Sequence, residues 1–364
     1  MSFFGDMYRG DLNVDFPSLW RRTVAMSAAL VVISIGAVAV LGLNLGIEFV
    51  GGTSWEVSAP GVSVSETRDV LAGTGAAAAK IQTVGTDSIR VRADLDSVTD
   101  VADISSRLAG LAGAEASDVS VTTVGPSWGD QITSKARNAL IWFFIIVAGY
   151  IATRLEWKMS VGALVAVIHD IVISVGFYAV FQFEVTPATV IAFLTIMGYS
   201  LYDTIVVYDK VRDISGRLTA TGRYTYTEMM NQALNQVLMR SINTSITSVL
   251  PVLSMLVIGS FFLGALTLQE FAIALIIGIV VGTNSSIFVA SWLVAVMKER
   301  EPEHIAIRRK IEARGGAREG TRQVSEDDVA LGGIPSRVSR PNRSSGDGVR
   351  PSGQPPRPRK KKKR

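Results

Sequence analysis

The chain has 364 residues, 48% of them hydrophobic, with a mean hydropathy of +0.33 and a formal net charge of +4. A single soluble core would struggle to hold that apolar content, and six runs approach the ~20 residues that cross ~30 Å of hydrocarbon. The absence of cysteine excludes structural disulfides and thiol chemistry.

The first apolar run, about 23–43, follows Arg21 and Arg22 and has no small-residue cleavage site before Asn44. It reads as a retained transmembrane helix rather than a signal peptide, which leaves 1–22 as a cytoplasmic N-terminus. Residues 44–137 then switch to short amphipathic pieces. "SWEVSA" alternates as a strand, and "SVSETRDVLAG" is a helix with a Ser/Glu capping pattern. "KIQTV" and "SIRVRA" are strands, "SVTDVADISSRLAGL" a helix and "DVSVTTV" a strand. The order strand, helix, strand, strand, helix, strand predicts a ferredoxin-like α/β domain.

From 138 to 297 the pattern predicts five more helices, about 138–153, 160–181, 187–208, 244–263 and 268–296. The fold class is therefore an α-helical membrane protein of six transmembrane helices, with one outer α/β domain between helices 1 and 2. Basic residues set the orientation. Arg154 and Lys158 lie between helices 2 and 3, and Lys210, Arg212, Arg217, Arg223 and Arg240 between helices 4 and 5. The connectors "QFEVTP" and "GSFFLGALT" carry no basic residue. Both termini are thus expected in the cytoplasm and the acidic α/β domain outside. Residues 298–364 form a basic tail, rich in Gly, Ser, Pro and Arg from about Gly315, that ends "PRPRKKKKR" and is expected to be largely disordered. It is either a solvated tail or one attracted to anionic lipid headgroups or ribosomal RNA.

Polar residues inside the helices carry the functional signal. A charge at the centre of a transmembrane helix costs about 2.5–3.5 kcal/mol on insertion scales. Asp203 lies roughly 7.5 Å from the inner end of helix 4, too deep for a carboxylate to reach water unaided. Ser200, Asp203, Thr204 and Val207 share one helical face, so the acid is expected to point into the bundle. Arg240 opens helix 5 at about that depth, which makes it either the partner of Asp203 or a cytoplasmic anchor. Behind it Ser241, Thr244, Ser245 and Ser248 form a hydroxyl stripe that lines a hydrated path or merely bonds the preceding turn. His169 and Asp170 sit near the middle of helix 3, residue types suited to a proton relay or to a structural hydrogen bond. Gly278, Gly282 and Ser286 repeat at four-residue spacing in helix 6, a pattern for close helix packing. No metal-ligand cluster, phosphate-binding loop or nucleophile with a neighbouring base is evident, so no metal, no cofactor other than a proton gradient and no enzymatic turnover are expected.

The stretches "GIEFVGGTSWEV", "IHD", "TIMGYSLYDTIVVYDKVRD", "ALNQVLMRSINTSITSVLPVL" and "FAIALIIGIVVGTNSSIFVASWLV" resemble, in order over about 20–297, the SecF members of the SecD/SecF family in the resistance-nodulation-division superfamily. The resemblance implies a bacterial inner-membrane subunit that pairs with SecD in a twelve-helix assembly beside the SecYEG channel, with SecA acting upstream. It implies use of proton flow to assist late export of unfolded preproteins. It places the family's essential aspartate on Asp203, its helix 5 arginine on Arg240 and a His-Asp pair on His169 and Asp170. Tyr202 stands where Asn is usual, Asn284 where "GTYSS" has Tyr, and "FFLGALTLQEF" is longer and more apolar than the usual connector. A proton-driven exporter of small molecules or lipids and a passive membrane scaffold are the alternatives. Six helices with one small outer domain fit the exporter poorly.

Overall fold

The computed structural model describes residues 14–84, 87–95, 97–262 and 265–313. Helix 1 is α1 (Phe16–Leu41), entered through Pro17, whose missing N–H is no loss in a first turn. Strand β1 (Asn44–Leu45) and the short α2 (Ile47–Val50) lead to β2 (Gly52–Ser58), α3 (Val64–Leu71), β3 (Lys80–Val84), β4 (Ser88–Ala93), α4 (Val98–Ala112) and β5 (Ser120–Val124). The four strands from β2 onward pair antiparallel in the order β3-β4-β2-β5, the ferredoxin-like arrangement. Ser63 caps α3 by accepting from Glu66 N at 3.2 Å, while the Glu66 carboxylate accepts from Ser63 N at 2.8 Å.

Alternation along β4 decides how this sheet sits. Ile89 and Val91 are fully buried with Trp55, Leu71, Ile104 and Leu108 in the core beneath α3 and α4. Arg90 and Arg92, two residues apart, therefore share the opposite face, which turns toward the membrane helices.

Helix 2 is α5 (Pro126–Arg154), helix 3 is α6 (Trp157–Phe181) and, after β6 (Glu184–Val185), helix 4 is α7 (Pro187–Leu218). Helix 5 is α8 (Tyr226–Ser254), which widens into a π-helix over Met255–Phe262. Helix 6 is α9 (Leu266–Asn284), a π-helical stretch Ser285–Ala290 and α10 (Ser291–Glu299), and α11 (Pro302–Ala313) follows it. All six are long and apolar enough to cross a membrane. The two-stranded sheet is a parallel pairing of β1 with β6, Asn44 opposite Glu184, which ties the exit of helix 1 to the helix 3–4 connection.

Several boundaries differ from the expectation. The α/β domain ends at Val124 rather than 137, because the polar stretch "PSWGDQITSKAR" already belongs to helix 2. Gly129 there lies against α2, where a Cβ would meet Phe49 O at 2.8 Å. Helix 4 runs on to Leu218 and helix 5 starts at Tyr226 behind a Thr225/Glu228 capping box, so both extend past their apolar runs. Hydropathy finds the part inside lipid, whereas helical hydrogen bonding continues wherever one face stays packed. The tail is helical at Pro302–Ala313, and the readings of 314–364 and of residues 1–13 fall outside the described residues.

Candidate functional site

Asp203 points into the bundle as its helical face required, and it is 9% exposed. Ser241 Oγ donates to its Oδ1 at 2.7 Å, and Oδ2 has no hydrogen-bond partner among the described residues. The expected direct contact with Arg240 is absent from the described residues. Arg240 Nη2 instead donates to Tyr202 Oη at 3.1 Å. Neighbouring residues on a helix project about 100° apart, and in this arrangement only one of Arg240 and Ser241 meets the Asp203 carboxyl directly. The serine takes that position. The Tyr202–Arg240 contact lines a cavity of about 720 Å³ with Arg154, Asp209, Lys210 and Asp213.

A second string of polar groups crosses helices 1, 3 and 4. His169 Nε2 shares a hydrogen bond with Ser27 Oγ, and His169 Nδ1 lies 3.1 Å from Asp170 Oδ1. Ser200 Oγ donates to Asp170 Oδ2 at 2.6 Å. Ser27 is not among the residues the sequence pattern singles out, although Ser27 and Ser34 stand seven apart in the otherwise apolar stretch 24–41 of helix 1 and are both buried.

Helix 6 touches both groups. Ser286 Oγ and Thr204 Oγ1 lie 2.8 Å apart and 3.2 and 3.1 Å from Ser200 O, and their two hydroxyl protons serve two of these three contacts at a time. Ser245 Oγ lies 2.7 Å from Thr283 Oγ1 and donates to Ser241 O at 2.8 Å. The packing stripe has a steric reason. A Cβ on Gly278 would meet Ile196 at 2.6 Å, and one on Gly282 would meet Ser200 Cβ at 2.8 Å. Ser286 lies in the π-helical stretch, a distortion often found at functional sites, and belongs to the polar path as well as to the packing. Thr244 only bonds back to Arg240 O, and Ser248 makes no side-chain hydrogen bond among the described residues.

A third cluster was not expected. Where the α/β domain meets the bundle, Arg92 Nη1 donates to Glu184 Oε1 at 2.6 Å, and Arg90 Nη1 lies 3.2 Å from Glu184 Oε2 and 3.1 Å from Glu270 Oε1. Arg92 also donates to Leu45 O at 3.3 Å and to Asn44 Oδ1 at 3.4 Å, and Lys80 Nζ donates to Asn44 Oδ1 at 2.9 Å. Burial pushes the Glu184 carboxyl above its ordinary value against the pull of Arg92 and Arg90, and burial pulls the Arg92 guanidinium down. Burial also pulls Arg90 down, but Glu184, Glu270 and Glu56 outweigh it and hold that guanidinium above its ordinary value. The only sequence signal was the alternation of Arg90 and Arg92 with core residues in β4.

Among the described residues no group of three or more His, Cys, Asp or Glu is placed to hold a metal ion. What the arrangement offers is a series of exchangeable O–H and N–H groups around two buried carboxyls.

Comparison with known proteins gives two family matches: the C-terminal region of the protein export membrane proteins SecD/SecF over residues 104–300, and the SecD/SecF GG motif over 36–59. The protein translocase subunit SecF of Streptomyces coelicolor is 38% identical, with 96% of this chain and 97% of the relative aligned. SecF of Mycobacterium tuberculosis is 36% identical over 82% of this chain and 70% of its own. The crystal structure of SecDF, a translocon-associated membrane protein from Thermus thermophilus, superposes with a TM-score of 0.72 at 34% identity, covering 80% of this chain and 39% of that one.

Proposed function

This chain belongs to the SecD/SecF family of protein export membrane proteins, and from that premise we propose that it is the SecF-type accessory subunit of a Sec preprotein translocase, driven by the proton gradient. The observation that carries the proton step is the buried Asp203 carboxyl, with one oxygen on the Ser241 hydroxyl and the other unpartnered. A buried charge without a cation is costly, whereas a protonated acid held by a hydroxyl is not. In the proposed two-state cycle, the arrangement with Asp203 on Ser241 and Arg240 on Tyr202 is assigned to the protonated arm. On losing its proton, Asp203 takes Arg240 from Tyr202, and the neighbouring turns of helices 4, 5 and 6 rearrange. The string from Ser27 through His169 and Asp170 to Ser200 is a proton path to the same helices. Each charge carried across 100 mV is worth about 2.3 kcal/mol, so a few such steps suffice to move a domain.

In this reading the chain sits in the bacterial inner membrane with both termini in the cytoplasm and the α/β domain outside, where it grips and releases an emerging unfolded preprotein. SecD supplies the other half of the assembly. The Thermus thermophilus relative supports that pairing, since its single SecDF chain is matched by this one over 39% of its length. SecYEG and SecA are the further partners, and the basic tail is a contact for anionic lipid. The protein acts as a transport subunit rather than an enzyme, with the proton gradient in place of a cofactor.

The test is translocation of a preprotein into vesicles that hold this chain, SecD and the channel, with and without a proton gradient, comparing wild type with Asp203→Asn at matched complex levels. Loss of the gradient-dependent part alone is the expected result. Full gradient dependence in the variant would remove Asp203 from the coupling role, and lowered SecD levels with coupling intact would favour the passive scaffold.

A further inference from the structure

We propose that Arg90 is the joint through which helices 3, 4 and 6 move the α/β domain, because its one Nη1 nitrogen bridges Glu184 on the helix 3–4 connection and Glu270 on helix 6 at 3.2 and 3.1 Å. The proposal rests on the proton-driven reading and adds the point at which motion leaves the membrane.

The two arginines of β4 do different work. Beyond the α/β domain Arg92 holds only one frame: Glu184, Leu45 and Asn44 all lie on the β1–β6 pair that joins helix 1 to helices 3 and 4, and its remaining partner, Gln82 at 3.5 Å, lies on β3 of the same domain. Arg90 spans that frame and helix 6, and its Nη2 also reaches Glu56 on β2 at 3.4 Å. Separation of Glu184 from Glu270 by about 1 Å takes one of the two Nη1 contacts beyond hydrogen-bond range. The guanidinium must then follow one carboxylate and drag β4 and β2 with it. Both side chains are largely buried, at 15% exposure for Arg90 and 7% for Glu184, so water does not replace a lost contact cheaply.

Helix 6 is also the element that touches the proton site. Gly282 lies against Ser200 and Asp170, and Glu270 stands twelve residues earlier on the same continuous helix, roughly 18 Å along the axis. A helix of that length transmits displacement as a rod. Rearrangement of Ser200, Ser286 and Thr204 at one end of α9 thus appears at the other as a change in the Glu184–Glu270 separation. Coupling between distant sites needs an element with two discrete arrangements that both sites bias, and the shared nitrogen of Arg90 supplies it.

The bridge is made by one nitrogen, so a lysine keeps a cationic donor for both carboxylates while giving up the Nη2 contact to Glu56, and a neutral glutamine keeps neither the charge nor the reach. The experiment compares wild type, Arg90→Gln, Arg90→Lys and Asp203→Asn in the vesicle assay. The same complexes carry spin labels on cysteines introduced at the exposed Ser117 of the domain and Ser254 of helix 5, which the cysteine-free chain permits. Arg90→Gln is expected to lower gradient-dependent translocation by about tenfold, the size of an ordinary coupling free energy between linked sites. It is also expected to abolish the gradient-induced change in label distance while leaving gradient-independent translocation and proton entry intact, and Arg90→Lys is expected to restore both. Wild-type gradient dependence in Arg90→Gln overturns the joint, and so does a loss of translocation with the label displacement unchanged. Asp203→Asn separates the two ideas: if it retains gradient dependence the proton reading fails, and if it alone loses it the joint fails.

Discussion

Two of the regions that bury carboxylates in this molecule treat them differently. Inside the bundle Asp203 and Asp170 meet hydroxyls and an imidazole, groups that accommodate either protonation state. At the junction with the α/β domain Glu184 meets two guanidinium groups, which favour the charged one against the push of burial. The contrast divides the labour. On the proposed reading, the first kind of site exchanges protons, and the second holds geometry and passes on force.

The sharpest way to break the comparison is to uncouple a junction charge. Arg92→Ala leaves Glu184 without its shortest partner, and removal of one member of a buried ion pair costs about 3–5 kcal/mol. Faster hydrogen exchange of the β1–β6 amides checks it, and unchanged protection would mean that Arg92 anchors nothing. Gly282→Val acts at the bundle site, forcing a side chain onto Ser200 and Asp170. Overpacking of this kind costs about 1–3 kcal/mol. Its expected signature is a lowered unfolding temperature in detergent together with weakened proton coupling. Ser241→Ala removes the donor to Asp203 at about 1 kcal/mol, a loss that should appear as a changed pH profile of translocation more than as lost stability.

The smallest effect concerns a partly buried ion-pair cluster of a third kind, at the turn after helix 6. Burial pushes Glu301 up, but the hydrogen bonds and charges of Lys158 and Lys298 outweigh it and hold the carboxyl below its ordinary 4.5. A depressed folded value means that the group's stabilisation of the α11 junction is present above pH 4.5 and is lost as pH falls through the lower folded value. Amide protection of α11 across an acid titration measures it, and Glu301→Gln is expected to flatten that dependence.

The six helices and the ferredoxin-like domain were legible because each rests on a local pattern, long apolar runs in one case and alternating short pieces in the other. The inward aim of Asp203 was legible for the same reason, as one face of helix 4. The choice between Arg240 and Ser241 was not, since both lie at the right depth and only the rotation of helix 5 decides which faces the acid. Ser27, Arg90, Glu184 and Glu270 are single polar residues on four separate elements, unremarkable until the β1–β6 pairing and the packing of helix 6 bring them to shared partners. The boundaries at Val124, Leu218 and Tyr226 shifted because helices outlast the hydropathy that announces them.

On the proposed reading, Asp203 carries a proton while Ser241 holds the carboxyl, and the carboxylate left after proton loss pairs with Arg240. Infrared difference spectroscopy of the complex in lipid across a pH step, with wild type, Ser241→Ala and Asp203→Asn compared, tests it most directly. The account predicts a carboxylic-acid carbonyl band in wild type that shifts in Ser241→Ala and is missing from Asp203→Asn. Identical spectra for wild type and Asp203→Asn would contradict it.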